Sequence, residues 1–184
     1  MGPSGSGKST LLHILGFLDR ADKGSYFLEG RDVSCLDDNQ LSLLRSTRIG
    51  FVFQAYNLIP QCTVIENIAM PFLYHPAPPD DALERVRASL DAVGLSGRKT
   101  HKPCQLSGGE MQRAAIARAI VVDPLIVFAD EPTGNLDRDN TRGILEIFKR
   151  MNKNGTSLVV ATHDHTVARA ADRILYLNDG RIHE

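Results

Sequence analysis

Apolar positions along the chain recur with two different periods, and the period switches repeatedly. Between Lys8 and Gly16 the side chains Leu11, Leu12, Ile14 and Leu15 fall at helical spacing, and the glycine stops the run, which predicts a short helix. Ser25 to Leu28 reads as a short strand ending in a Glu29-Gly30 turn, and Asp37 to Arg45 as a helix capped by its aspartate. Arg48 to Gln54 is rich in β-branched and aromatic residues, which suit a pleated strand. From about Asn57 the character changes. Pro76, Pro78 and Pro79 break the chain, and Asp80 is expected to cap a helix with Leu83, Val86, Leu90 and Val93 on its inner face and Gly94 at its end. A second helix is predicted over Glu110 to Ile120. Alternation then resumes. Leu125 to Ala129 is continuously apolar, as expected of a strand buried on both faces. A helix follows from Asn140 to Met151, with Ile144, Leu145, Ile147 and Phe148 inward. Asn154-Gly155 turns into a strand over Ser157 to Ala161, and Arg173 to Leu177 is predicted as the last strand. Strands separated by helical segments predict an α/β fold, a mostly parallel sheet with helices on both faces. Residues 57–119 read as a helical subdomain inserted between the 1–56 and 120–184 parts of the core.

Charge narrows the function without naming it. The 21 basic and 22 acidic residues give a net charge of −1, with no block of either sign, so neither a nucleic-acid footprint nor a basic membrane-surface patch is expected. Cys35, Cys62 and Cys104 are scattered without metal-type spacing and read as reduced thiols. The longest apolar stretch, from Ile120, is interrupted by Asp123-Pro124, far short of the roughly 18 residues that span a bilayer. Nor do the first ten residues carry an apolar signal-type region. No direct membrane insertion is expected; service to a membrane would be as a peripheral subunit.

Three segments and one histidine carry candidate chemistry. Gly2-Pro-Ser-Gly-Ser-Gly7-Lys8-Ser9 fits the phosphate-binding loop, two glycines bracketing four residues and followed by Lys and Ser. The glycines let backbone N–H groups turn inward around phosphate oxygens, and the following helix adds its positive end. Lys8 is then placed for the β- and γ-phosphates and Ser9 for Mg²⁺. Leu125 to Glu131 is an apolar strand ending in two carboxylates. It would deliver Asp130 to the Mg²⁺ shell and Glu131 to an attacking water as general base. Leu106-Ser107-Gly108-Gly109-Glu110 opens a helix with small residues and a serine, a second anion site on the same logic. His163, just past the strand Val159-Val160-Ala161, can donate to a γ-phosphate. His163-Asp164-His165 offers too few ligands for a metal site.

In this fixed order the segments resemble the ATP-binding-cassette (ABC) ATPases over essentially the whole chain. Gly2–Ser9 looks like the Walker A loop, with Pro3, Ser4, Gly5, Ser6, Gly7 and Thr10 joining the nucleotide-contact set. Gln54 is similar to the Q-loop glutamine, Leu106–Glu110 to the signature, Asp130-Glu131 to the Walker B end, Asn135-Leu136-Asp137 to the D-loop and His163 to the switch histidine. Ile49–Pro60, Thr63–Ile68 and Glu131–Asp137 resemble the macrolide-export and lipoprotein-release type ATPases in particular. The resemblance implies a P-loop NTPase (RecA-like) core, ATP and Mg²⁺, and a head-to-tail dimer or pseudo-dimer. In it Ser107, Gly108 and Gly109 meet the partner's γ-phosphate, Asp137 lies at the interface and Gln54 contacts Mg²⁺ and the water. It implies a permease partner reached through the cleft beside the helical insertion, a cytoplasmic location on the inner face of the membrane, and no nucleic-acid partner.

Two expectations depart from that pattern. An antiparallel β subdomain and a lead-in strand normally precede such a loop and supply the aromatic residue that stacks on adenine. Here the loop begins at Gly2, and Tyr26 lies on the wrong side to substitute. The chain as written is therefore expected to bind ATP weakly and fold poorly, and a non-catalytic remnant or regulator is the main alternative. A DNA-repair type ABC ATPase is a remote one. Such proteins split the domain with a coiled coil, whereas Gln54 and the signature are only about fifty residues apart with no heptads between.

Overall fold

Three apolar segments pair in parallel, and everything that positions the site follows from their register. A computed structural model of the chain describes residues 1–3 and 5–183; Ser4 and Glu184 lie outside the described residues. The elements are α1 (Lys8–Leu15), β1 (Phe27–Leu28), β2 (Arg31–Asp32), α2 (Asp38–Arg48) and β3 (Ile49–Phe53). Next come α3 (Val64–Ala69), α4 (Ala82–Ala92) and α5 (Gly108–Ile120). The chain closes with β4 (Ile126–Asp130), α6 (Arg138–Lys153), β5 (Ser157–Ala161), α7 (His165–Ala168), β6 (Tyr176–Asn178) and β7 (Arg181–His183).

The parallel sheet has the order β3-β4-β5, with Phe53 opposite Asp130 and Asp130 opposite Ala161. Its three strands therefore end level, and Gln54, Glu131 and Thr162 all emerge one residue beyond the carboxyl edge. Side chains alternate across the sheet. Val52, Val127 and Ala129 pack in one core with Ile116 and Ala117 of α5 and Ile144 and Phe148 of α6. Ile49 and Phe128 face the opposite core with Leu12 of α1 and Leu41 of α2. Helices thus cover both faces, and the mixed α/β architecture with a parallel sheet agrees with the sequence pattern. One close approach stands out. A Cβ on Gly50 in β3 would lie 2.5 Å from the Ala119 carbonyl oxygen and 2.9 Å from Val127 Cγ2, so α5 crosses β3 where there is no side chain.

Several elements differ from expectation for identifiable reasons. Arg173 to Leu177 does not extend the parallel sheet as a regular strand. The ladder there is the hairpin β6–β7, with Asn178 opposite Arg181 across Asp179-Gly180. Both loop residues have positive φ, 47° and 73°, the combination whose twist suits a two-residue hairpin. Leu175 and Leu177 instead bond Met1: its amino group donates to the Leu175 carbonyl at 2.6 Å, and Leu177 N donates to the Met1 carbonyl at 2.7 Å. The predicted strand over Ser25 to Leu28 is likewise one arm of a hairpin, β1–β2, around Glu29-Gly30 at φ 50° and 77°. Helix α4 begins at Ala82 with Asp81, not Asp80, at its N-cap position, and no side chain caps it. Leu83, expected inside, is 55% exposed, while Val86, Leu90 and Val93 are buried. Helix α3 was not predicted, although Thr63 and Glu66 form a complete capping box at its start. On the side of β5 away from β4 no ladder partner occurs among the described residues, and mid-strand Val159 is 37% exposed. Among the described residues no helix is long and apolar enough to cross a membrane.

Candidate active site

The site is assembled where the level strand ends meet the loop before α1. Gly5 and Gly7 adopt φ 80° and 97°, a region that only glycine enters without strain, and the chain turns through them into α1. Lys8 folds back over this loop and donates to the carbonyls of Gly2 at 2.8 Å and Pro3 at 3.0 Å. Its Nζ is also 4.0 Å from Glu131 Oε1. Among the described residues the buried Ser6 hydroxyl has no hydrogen-bond partner, and neither has Oδ1 of Asp130. Orphaned buried oxygens are costly, so both are poised to accept a group that the chain itself does not supply.

Glu131 follows Asp130 with φ 43°, a left-handed conformation that costs a non-glycine residue about 1–3 kcal/mol. Its amide donates to the Ala161 carbonyl at 2.9 Å, which ties it to the end of β5. Its carboxylate is held by three donors: Thr162 Oγ1 at 3.1 Å on Oε2, with His163 N at 3.1 Å and His163 Nδ1 at 2.8 Å on Oε1. Because a carboxylate only accepts, Nδ1 carries the His163 proton in this pair. Nε2 can then donate to a phosphate oxygen only when the ring holds both protons.

A second cluster lies beside the first. Gln54 and Asn135 bond reciprocally: Gln54 Nε2 donates to Asn135 Oδ1 and Asn135 Nδ2 to the Gln54 carbonyl, both at 3.3 Å. Tyr56 and Asn57, with φ 62° and 50°, turn the chain away from β3, and Arg118 of α5 clamps their carbonyls at 3.0 and 2.5 Å. Asp137 caps α6, and the Asn140 amide and side chain hold its carboxyl below the usual range. Gly108 and Gly109 at the start of α5 lie against the Tyr56 hydroxyl and Asn140. No hydrogen bond or ion pair joins residues 106–110 to the loop before α1 among the described residues. The candidate residues therefore form two groups. Gly2, Ser6, Lys8, Asp130, Glu131 and His163 gather at one place, and Gln54, Ser107, Gly108, Gly109 and Asp137 beside it; Ser9 and Thr10 are exposed on the first turn of α1.

The family model described as ABC transporter matches residues 1–134. The chain belongs to this family. An uncharacterized ABC transporter ATP-binding protein of Thermotoga maritima is 49% identical over 182 residues, covering 99% of this chain and 78% of its own. The lipoprotein-releasing system ATP-binding protein LolD of Aquifex aeolicus is 48% identical, with 99% and 81% covered. The macrolide export ATP-binding/permease protein MacB of Escherichia coli is 44% identical, with only 28% of its length covered. Two dimeric structures of the ATP-binding cassette MJ0796, one in a post-hydrolysis state bound to ADP and Pi, superpose with TM-score 0.89 at 42% identity. They cover all of this chain and 82% of theirs. The chain is thus an ABC ATPase, the ATP-binding subunit of a transporter.

In this ABC ATPase the start of α5 is a reciprocal capping box. Ser107 N donates to Glu110 Oε2 at 2.9 Å and Glu110 N to Ser107 Oγ at 3.3 Å, while Arg98 Nε reaches Glu110 Oε1 at 2.9 Å. The Ser107 amide bond, helped by the Ser107 hydroxyl and by Arg98, lowers the Glu110 carboxyl from about 4.5 to about 2. A group depressed on folding stabilises above its unfolded value and loses that contribution as pH falls through the folded one. Glu110→Ala should therefore lower stability by about 1 kcal/mol at neutral pH, the usual worth of a cap. The deficit should shrink between pH 4.5 and about 2, read as denaturation midpoints across that window. A pH-independent deficit would contradict the capping account.

Nothing in the linear pattern marks Thr162 or the Asn135 amide as neighbours of Glu131 and Gln54. The only available signal was position: Thr162 is the first residue past a strand whose partner ends in Asp130-Glu131.

Proposed function

We propose that this ABC ATPase works as a head-to-tail dimer with Mg²⁺ and couples ATP hydrolysis to a permease for export or for lipoprotein and peptide handling. The observation that carries the hydrolytic reading is the Glu131 carboxylate, fixed at the level strand ends beside Lys8 and the phosphate loop. Gly2, Pro3, Ser4, Gly5, Ser6, Gly7 and Thr10 would hold the phosphates, Lys8 would leave its loop carbonyls for the β- and γ-oxygens, and His163 would donate from Nε2. Glu131 takes the proton of the attacking water. Ser9, Asp130 and Gln54 would hold Mg²⁺, and the unpartnered Asp130 Oδ1 fits that role. Mg²⁺ supplies charge neutralisation of the phosphates when bound.

The separation of the two residue groups supports a shared site, in which Ser107, Gly108 and Gly109 address the partner's nucleotide and Asp137 sits at the interface. Residues 57–119 are the helical subdomain on a core of 1–56 and 120–184. The groove between them, lined by Phe51, Phe53, Pro71, Tyr74 and Arg118, would receive the permease on the cytoplasmic face of the membrane; Tyr74 within it and the adjoining Leu73 are about three-quarters exposed, at 74% and 76%.

Light scattering tests the shared site. In a Glu131→Gln background, ATP should drive the chain to dimer mass, and adding Ser107→Arg should keep it monomeric while ATP still binds. Equal dimerisation with and without Ser107→Arg, or none in either, overturns the reading.

A further inference from the structure

Glu131 is gripped from a side that the sequence motifs do not name. Thr162 is 3% exposed, and its Oγ1 lies 3.1 Å from Glu131 Oε2 and 3.0 Å from the Asp164 amide nitrogen. The direction of both bonds is forced. An amide N–H only donates, so the hydroxyl accepts from Asp164 and its single proton is left for Glu131. The opposite oxygen, Oε1, faces Lys8 and the His163 ring. That ring is 63% exposed, whereas Thr162 is enclosed by the chain turning into α7, with Asp164 Oδ1 accepting from Thr166 N at 2.7 Å. Of the two side chains that hold the carboxylate, Thr162 is the fixed one.

We propose that Thr162 is a positioning residue for hydrolysis: its hydroxyl anchors Glu131 Oε2 and thereby presents Oε1 toward the nucleotide side. The proposal rests on Glu131 being the general base. With Oε2 held by the enclosed hydroxyl, the His163 contacts at Oε1 can yield to water without the carboxylate turning; with Oε2 released, those contacts alone hold it and its alignment with water loosens. Such misalignment lowers the rate of the chemical step without weakening nucleotide binding.

The test compares the parent chain with Thr162→Val, Thr162→Ser, Glu131→Gln and the Thr162→Val/Glu131→Gln pair. Thr162→Val keeps the shape and removes the hydroxyl. Its kcat should fall roughly tenfold to a hundredfold with KM for ATP within about twofold, and Thr162→Ser should recover most of the loss. The double variant should be no slower than Glu131→Gln alone, since Thr162 acts through that carboxylate. A further readout needs no turnover. In ligand-free protein the His163 amide, which donates to Glu131 Oε1, should exchange with deuterium faster in Thr162→Val and at the parent rate in Thr162→Ser. Parent-like kcat and His163 exchange in Thr162→Val, or independent losses in the double variant, overturn the proposal while leaving Glu131 as base. Unchanged turnover in Glu131→Gln removes the base itself and the proposal with it.

Discussion

Glu131→Gln should keep ATP bound and slow its hydrolysis by about 10²- to 10⁴-fold, the usual share of a positioned general base. The substitution is close to isosteric, and the surrounding donors tolerate it. The amide oxygen can take the two His163 bonds that Oε1 accepts. The amide NH₂ then faces Thr162 Oγ1, whose remaining lone pair can accept it. Fold and nucleotide contacts should therefore survive, and what disappears is the ability to take a proton from water. Lys8, Ser6 and the loop glycines are untouched, so ATP affinity should stay within about threefold of the parent. The measurements are phosphate release under saturating ATP and the affinity for a fluorescent ATP analogue. Turnover at the parent rate would dismiss Glu131 as the base and turn attention to the other groups around Lys8.

The second large effect is structural. Gly50→Ala should destabilise the chain by about 2–3 kcal/mol, the upper part of the overpacking range. Its added carbon has nowhere to go. It would meet the Ala119 carbonyl at 2.5 Å and Val127 Cγ2 at 2.9 Å, and the first of these is backbone that no rotamer change can move. Either α5 lifts away from β3 or the strand bends. Both responses shift Gln54 and the turn clamped by Arg118, so stability and activity should decline together. For a chain of this size the melting temperature should drop by about 5–10 °C. Gly143→Ala in α6 is the control: beyond its own stretch of helix, no atom of the described residues lies within 4 Å of its added carbon, and removing a glycine from a helix should stabilise by about 1 kcal/mol or less. Equal melting of Gly50→Ala and the parent would disprove the close approach of α5 to β3.

What the linear pattern discloses is uneven. The parallel strands are legible because burial on both faces leaves no alternative to an apolar run, as at Ile126 to Ala129. Strand register is not legible, yet it decides which side chains become neighbours. Glu131, Gln54 and Thr162 stand level only because Phe53, Asp130 and Ala161 pair. The hairpins were within reach. Glu29-Gly30 and Asp179-Gly180 are both residue pairs that admit positive φ, but a short apolar stretch before such a turn reads equally well as one strand of a larger sheet. Helix α3 carried its own start signal in Thr63 and Glu66, and its six residues are too few to show a helical period. Leu83 shows the reverse failure. The spacing puts it on the inner face of α4, but it falls in the first turn and is left exposed. Candidate chemistry was legible where one segment carries a whole function, as in Gly2 to Ser9. It was hidden where a single hydroxyl depends on the fold to find its partner.

The level strand ends restrict where the chain can change length. One residue inserted between Ile126 and Asp130 would carry Glu131 about 3.3 Å along the sheet and turn it to the opposite face. No later substitution could restore it. The connection before α4, exposed at residues 76–78, lies outside every ladder and can lengthen without moving any of the three strand ends. Insertions and deletions in this protein should therefore cluster in such connections, and the spacing within the strands should outlast much of their composition.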